Sequence, residues 1–203
     1  GATASQFANE FNRKQRFYAA YADLQLGYKN FLYLGATARN DWSSTLPAGK
    51  NSFFYPGVNA SFVFSDGFGI SNNIFSYGKV RAAWTQVGNE ASPYQTATTY
   101  RLGVPHTSPG GSVFNRATLD GTLGNADLRN ELTTEIEFGA DLRFFRNRVG
   151  LDVTYFKRNS TDQITSSRLP ASSGFTEAIV NAGEIENKGW EIALNLTPIR
   201  TAG

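Results

Sequence analysis

The chain has 203 residues and a formal net charge of +2 at neutral pH, so no strong field points to nucleic acid or to an acidic partner. It contains no cysteine, which excludes disulfides, thiolate chemistry and Cys-type zinc sites. Hydrophobic residues make up 40%, mean hydropathy is −0.34 and no run approaches the ~18 apolar residues of a membrane helix, so a helical membrane protein is excluded.

The opening Gly1-Ala2-Thr3-Ala4-Ser5 lacks the charge and apolar run of a signal peptide, which is expected to be missing or removed. Residues 16–28 read as a strand, with Tyr18, Ala20, Ala22, Leu24, Leu26 and Tyr28 on one face and Asp23, Gln25 and Gly27 on the other. Lys29-Asn30 is a tight turn. Residues 31–41 return with Leu32, Leu34, Ala36 and Ala38 set against Tyr33, Gly35, Thr37 and Arg39, a hairpin with a two-residue loop. A polar loop over 42–51 leads to a third strand over 53–65, whose apolar face is Val58, Ala60, Phe62 and Phe64. Residues 66–76, rich in Gly, Ser and Asn, form a connector with a short helical turn expected near 72–75. The fourth strand, 77–87, directs Val80, Ala82 and Trp84 one way and Arg81 and Thr85 the other.

Residues 88–130 hold Pro93, Pro105, Pro109, Gly110-Gly111 and Asp120-Gly121 and are expected to be irregular. So long a loop counts against a compact soluble domain but suits one side of an outer-membrane barrel. Residues 135–144 carry the sharpest pattern. Ile136, Phe138, Ala140, Leu142 and Phe144 alternate with Glu135, Glu137, Asp141 and Arg143, and only Gly139 interrupts the charges. A membrane-spanning β-barrel requires that contrast, since one strand face meets lipid and the other a wet lumen. Arg146-Asn147 turns this strand into a sixth, with Val149, Leu151, Val153 and Tyr155 opposite Asp152 and Thr154.

Two readings stand for 176–197: a hairpin turning at 186–189, or one long strand with 184–188 above the lipid and Trp190, Ile192, Leu194 and Leu196 within it. The second matches the sixth strand, whose apolar face turns polar beyond Lys157, and is preferred. Seven strands then alternate short links (29–30, 66–76, 145–148 and after Pro198) with longer loops (42–51, 88–130 and about 168–175). Tyr28, Phe31, Phe144 and Phe145 crowd the short turns as an interfacial girdle would. The fold class read from this pattern is all-β, an antiparallel transmembrane β-barrel segment. Its lipid-facing residues are expected to be Leu24, Leu26, Leu32, Leu34, Phe62, Phe64, Ile136, Phe138, Leu142, Phe144, Leu151, Val153, Trp190, Ile192, Leu194 and Leu196.

Several motifs also resemble, in order, those of a known family. Arg39-Asn40-Asp41-Trp42-Ser43-Ser44-Thr45-Leu46-Pro47 followed by Phe54-Tyr55-Pro56-Gly57-Val58 is one, and Lys79-Val80-Arg81-Ala82-Ala83-Trp84 with Val87-Gly88-Asn89 a second. Glu131-Leu132-Thr133-Thr134-Glu135 is a third, and Tyr155-Phe156-Lys157-Arg158 through Asn181-Ala182-Gly183 and Asn187-Lys188-Gly189-Trp190-Glu191 a fourth. Together they resemble the SusC/RagA family of TonB-dependent outer-membrane transporters. Trp84 and Trp190 stand where that family often has other residues, without disturbing the alternation. The resemblance implies a barrel of about 22 strands closed around an N-terminal plug. Such a barrel needs roughly 220 residues in strands alone, so residues 1–203 are expected to be a partial barrel domain whose plug lies outside the chain.

The resemblance further implies active import of oligosaccharides or peptides, with TonB-supplied energy and a SusD-like surface lipoprotein as partner. It implies no cofactor and no catalysis. Inward candidates for substrate or plug contact are Asp23, Arg39, Arg81, Glu135, Glu137, Asp141, Arg143, Asp152 and Glu191. The same side chains would equally arise on a wall that only solvates a lumen or pairs across strands. Asn89, Tyr94, Tyr100, Arg101, His106 and Phe114 in the long loop suit sugar stacking, contact with the lid protein, or packing of the loop on itself. An enzyme reading fares poorly: His106 is the only histidine, and Glu135 with Glu137 is the spacing that a lumen lining produces. The alternatives are a soluble all-β carbohydrate-binding module and a small stand-alone barrel adhesin or porin.

Overall fold

The computed structural model describes residues 12–70 and 72–198. Its strands are β1 (Phe17–Tyr28), β2 (Leu32–Ser43), β3 (Ser52–Phe62), β4 (Phe75–Asn89), β5 (Tyr100–Leu102), β6 (His106–Thr107), β7 (Val113–Phe114), β8 (Ala117–Leu119), β9 (Thr122–Leu123), β10 (Glu131–Phe144), β11 (Val149–Thr161), β12 (Ile164–Arg168), β13 (Glu177–Asn181) and β14 (Ile185–Leu196). One helical turn, α1 (Phe64–Gly67), follows β3. Seven long strands, of 11 to 15 residues, form one antiparallel sheet in the order β1-β2-β3-β4-β10-β11-β14. Strands of a small soluble sandwich average about 5–6 residues.

Register carries each strand's alternation across the whole sheet. One row runs Leu26, Leu34, Ala60, Ala82, Phe138, Tyr155, Trp190, and the adjacent row Gly27, Tyr33, Ser61, Arg81, Gly139, Thr154, Glu191. The sheet therefore has one apolar and one polar face. Among the described residues no second layer covers the apolar face: Leu26 is 56%, Phe138 55% and Ile192 69% exposed.

The register also sets a tilt. The β1–β2 turn closes at Tyr28↔Leu32, on the row of Ala140 and Val153, whereas the β10–β11 turn closes four residues lower, at Phe144↔Val149. These hairpins lie four strand steps apart. Four residues are about 14 Å and four steps about 19 Å, so placing both turns in one plane inclines the strands by about 35°. Membrane barrels tilt their strands by roughly 35–45°.

The short links differ in detail from the sequence expectation. The β1–β2 loop holds three residues rather than two, with Lys29 and Asn30 at φ 47° and 58° and the Phe31 N–H donating to the Tyr28 carbonyl at 3.2 Å. The third strand ends at Phe62, not at position 65. There the Val63 N–H donates to the Phe31 carbonyl at 2.7 Å and the chain winds into α1. Phe64 thus leaves the strand, and its ring stacks on Phe75 at 5.8 Å and covers Gly78. The helical turn is at Phe64–Gly67 and not near 72–75, because Asn72 Oδ1 accepts from the Ile74 and Phe75 N–H groups at 2.9 and 2.7 Å. Aromatic contacts do gather at this end: Tyr28–Phe31–Phe62–Phe68 in one series and Phe64–Phe75–Phe144–Phe145 in another. The turn expected after Pro198 and the opening Gly1-Ala2-Thr3-Ala4-Ser5 lie outside the described residues.

The opposite end differs more. Residues 88–130 are not irregular throughout: β5 pairs β8, β6 pairs β7, and β9 runs parallel to β13. The hairpin reading of 176–197 fails, and the single long strand holds only from Ile185 onward. Gly183, at φ +100°, breaks the segment, so β13 joins β12 and β9 in a small sheet while β14 pairs with β11. Residues 186–189 are strand, not turn. A core of Leu46, Ala91, Leu128 and Ile179, flanked by Phe53 and Ile164, joins the long loops into one assembly. Asn181 ties it further, accepting from the Arg129 N–H at 2.9 Å and donating to the Arg129 and Asp162 carbonyls at 2.8 and 2.9 Å. Leu128 is fully buried. Leu128→Ala should destabilise this loop assembly by about 2–4 kcal/mol. Limited proteolysis should then cut within 88–130 while the seven-strand sheet keeps its protection.

Candidate functional site

The polar face collects the charged residues, and register decides which of them meet. Arg81 on β4 stands opposite Gly139 on β10, whose missing side chain leaves a slot. A Cβ there would overlap the Arg81 side chain. Through the slot Arg81 crosses a whole strand to β11, where Nη1 and Nη2 donate to the two Asp152 carboxylate oxygens at 3.0 and 2.9 Å. Nη2 also donates to Thr154 Oγ1, and Nε reaches Glu137 at 3.4 Å. The interruption in the charged face of 135–144 is therefore the passage for a cation from the neighbouring strand. Bidentate on one carboxylate and bonded to two further side chains, Arg81 ties β4, β10 and β11 together.

The other expected residues fall into separate groups. Glu135 and its cross-strand partner Arg158 are 2.7 Å apart. Asp141 and Arg143 pair along one strand at 3.0 Å, near the β10–β11 turn, with the guanidinium 4.8 Å from the Tyr77 ring centre. The side chains of Asp23 and Glu191 have no hydrogen-bond or ion-pair partner among the described residues. Asp23 lies instead in a cleft with Tyr21, Arg39, Asp41 and Tyr55. Arg39 Nε donates to the buried Asp41 at 2.7 Å, and the Tyr55 hydroxyl, seated over Gly88, accepts from Asn130 at 3.0 Å. Tyr21 is 80% exposed, so this cleft keeps an open ring and an unspent carboxylate. Sequence reasoning missed Tyr21, Asp41 and Tyr55. Asp41 was within reach, since position i+2 of a strand shares the face of Arg39. Tyr55 enters only through the β2–β3 register, where it opposes Arg39.

At the long-loop end Glu90 accepts from Gln15 and from the buried Ser43. Lys50 donates to Asp127 at 2.6 Å, and that hydrogen bond and charge hold the Asp127 carboxyl below its ordinary pKa. Among the described residues no three His, Cys, Asp or Glu side chains converge as a metal site. The residues 89, 94, 100, 101, 106 and 114 do not form one site. His106 pairs with Phe114 in the β6–β7 hairpin, whereas Asn89 donates to Glu131 at 2.9 Å at the top of the sheet.

A family model described as TonB dependent receptor-like, beta-barrel, matches residues 1–202. The chain belongs to this family. TonB-dependent receptor P26 of Formosa agariphila is 31% identical over 183 residues, which are 89% of this chain and 18% of that protein. TonB-dependent receptor SusC of Bacteroides thetaiotaomicron is 31% identical over 78 residues, 38% of this chain and 8% of that one. The RagAB peptide importer in its open-open state matches in fold with a TM-score of 0.81 at 22% identity, over 92% of this chain and 20% of that chain. This chain thus spans about a fifth or less of the length of the relatives it matches. TonB-dependent receptors are bacterial outer-membrane proteins and not enzymes, and the seven-strand sheet is a portion of such a receptor's transmembrane barrel. The match sets aside the soluble carbohydrate-binding module and the small adhesin or porin.

The Arg81 tie makes a quantitative prediction for the receptor barrel. Arg81→Met and Asp152→Asn should be non-additive by about 1–2 kcal/mol, a range reduced because both groups are partly solvated. Gly139→Val should cost stability by blocking the crossing, measured as the urea midpoint of the detergent-solubilised full-length receptor. Additive effects would show that the pair carries no coupling.

Proposed function

We propose that this chain is roughly a third of the barrel wall of an outer-membrane importer for oligosaccharides or peptides, seven strands of about 22. The rest of that barrel and the plug that it encloses lie outside this segment, and energy from TonB reaches the barrel through the plug. The carrying observation is the uncovered apolar face of a continuous seven-strand sheet in a chain that matches the receptor barrel family. In this reading Leu24, Leu26, Leu34, Ile136, Phe138, Leu151, Val153, Ile192 and Leu194 meet lipid. From Arg148, just before β11, to Lys157 the chain makes nine residue steps and rises about 30 Å, or ~22–25 Å across a membrane at a tilt of 35–45°. That distance fits the ~25 Å apolar band of such barrels. Just below its upper limit Tyr155 packs against Trp190 at 5.0 Å, and just above it Lys157 and Lys188 both pair with Glu186 at 2.9 Å.

The polar face then lines the lumen, with the short aromatic turns periplasmic and the long loops outside. Arg81, Glu137 and Asp152 spend their charge on one another and brace the wall. Asp23, Arg39 and Tyr21 are the better candidates for cargo contact, because an open carboxylate and ring remain there. Asp141 and Arg143, next to the short turn, face the plug; Glu135 and Glu191 line the lumen between. The proposed SusD-like lipoprotein would dock outside, where Leu102, Val104, Val113 and Phe114 are 84%, 65%, 64% and 57% exposed on the β5–β8 arm.

Adjacent residues on β14 test the orientation. Ile192→Arg should cost about 2–4 kcal/mol of folding free energy in bilayers, and Ala193→Arg on the polar face close to none. Equal costs would overturn the assignment of faces. Transport is tested in cells carrying the full-length receptor, supplied with labelled oligosaccharides and labelled peptides. Uptake of one class should collapse when TonB is deleted; uptake indifferent to TonB would refute the proposal.

A further inference from the structure

The loop assembly contains a cleft of about 710 Å³ that none of the wall residues enters. It lies between residues 93–101 and 120–124, and Tyr94, Gln95, Tyr100, Arg101 and Asp120 are among its lining side chains. Its volume falls in the range of small-ligand sites, ~300–1,000 Å³. Tyr94 is 52% and Tyr100 71% exposed, so both rings keep much of their surface for a ligand. Tyr94 also has a backbone φ of +69°, a conformation that a bulky side chain adopts only when its surroundings enforce it. Those surroundings include the Lys14 N–H, which donates to the Tyr94 hydroxyl at 3.2 Å.

Two further features narrow the ligand. Among the described residues Arg101 and Asp120 are the only charged ones of the lining, and they pair with each other, Nε and Nη2 both 3.3 Å from Asp120 Oδ2. The lining therefore has no net charge, which disfavours an anionic or cationic ligand. The backbone is also engaged. Asp120 N–H donates to the Thr99 carbonyl and Asn125 N–H to the Gln95 carbonyl, each at 2.9 Å, while Gly124 N–H donates to Thr98 Oγ1 at 3.1 Å. On the other side the Thr176 N–H donates to the Gly121 carbonyl at 2.8 Å. The segments 95–99 and 120–125 thus bond to each other, which leaves the side chains of the cleft rather than this backbone for a ligand. A neutral polyhydroxylated ligand suits what is left. Its C–H faces lie on tyrosine rings, and its hydroxyls bond to a guanidinium, a carboxylate and an amide.

We infer that this cleft is an outer capture site for a neutral oligosaccharide, used before the lumen is entered; it rests on the outward placement of the long loops proposed above. Binding is measured on the detergent-solubilised full-length receptor with fluorescently labelled linear neutral oligosaccharides of glucose, mannose, xylose and galactose. A mixed library of short neutral peptides serves as the second arm. The variants are Tyr100→Ala and Tyr94→Gly, the latter removing a ring while keeping a residue at ease at positive φ. At least one oligosaccharide should bind, and each variant should weaken it by about tenfold with the heat-modifiable gel shift unchanged. No oligosaccharide binding, binding unchanged in both variants, or binding of peptides alone would overturn the inference. Uptake is scored separately: TonB-dependent uptake by cells whose receptor fails the binding test leaves the importer reading intact and removes only the capture site.

Discussion

A bilayer core offers no hydrogen-bond partner to the backbone, so each N–H and C=O within it must be paired by a neighbouring strand. That single requirement organises this chain. It demands long unbroken ladders, and β4 and β10 supply one from Asn89↔Glu131 to Phe75↔Phe144, with one irregularity beside Phe144. Once the ladder is fixed, the period of two leaves no freedom in which side chains share a face. Lipid then selects apolar residues on one side, and everything polar is crowded onto the other.

Crowding has its own consequences. Carboxylates and guanidiniums on a common face neutralise one another wherever register brings them within reach, as Arg158 does for Glu135 and Arg143 for Asp141. Arg81 goes further by bridging β4 to β11 across the slot at Gly139, so one side chain clamps three strands. The wall is most firmly tied where its charges are mutually satisfied and most open to other molecules near Asp23 and Tyr21. In the proposed importer, cargo contacts with the wall belong at the second kind of place.

Much of this was legible in the residues. The strands around Leu24, Leu34, Val80, Phe138 and Val153 are marked by alternation sustained over many positions, which only a half-exposed strand needs. The pattern misled where alternation outlasted the strand. Phe62 and Phe64 keep the period although the chain leaves the sheet between them, and Val180 and Ala182 appear continuous with Trp190 and Ile192. The clue to the second break was Gly183, whose conformational freedom the chain uses at φ +100°. Arg81, Glu137 and Asp152 were each expected on the inward face. Their convergence was not legible, because β4 and β10 are joined by a long excursion that hides their register. The hydrophobic core of the loops was invisible for the same reason: Leu46 and Leu128 stand singly in polar stretches, Ile179 belongs to a short apolar run far along the chain, and only tertiary packing unites them.

That core also imposes an order on assembly. In the sheet each long strand pairs with the long strand before it, so strands can be laid down one after another as the chain arrives. The Leu46–Ala91–Leu128–Ile179 cluster follows a different schedule. It draws on the β2–β3 loop, the β4–β10 loop and β13, and cannot close until the last of these is delivered. With the long loops outside, as proposed, they pass the membrane as separate polar segments and the cluster forms only on the far side.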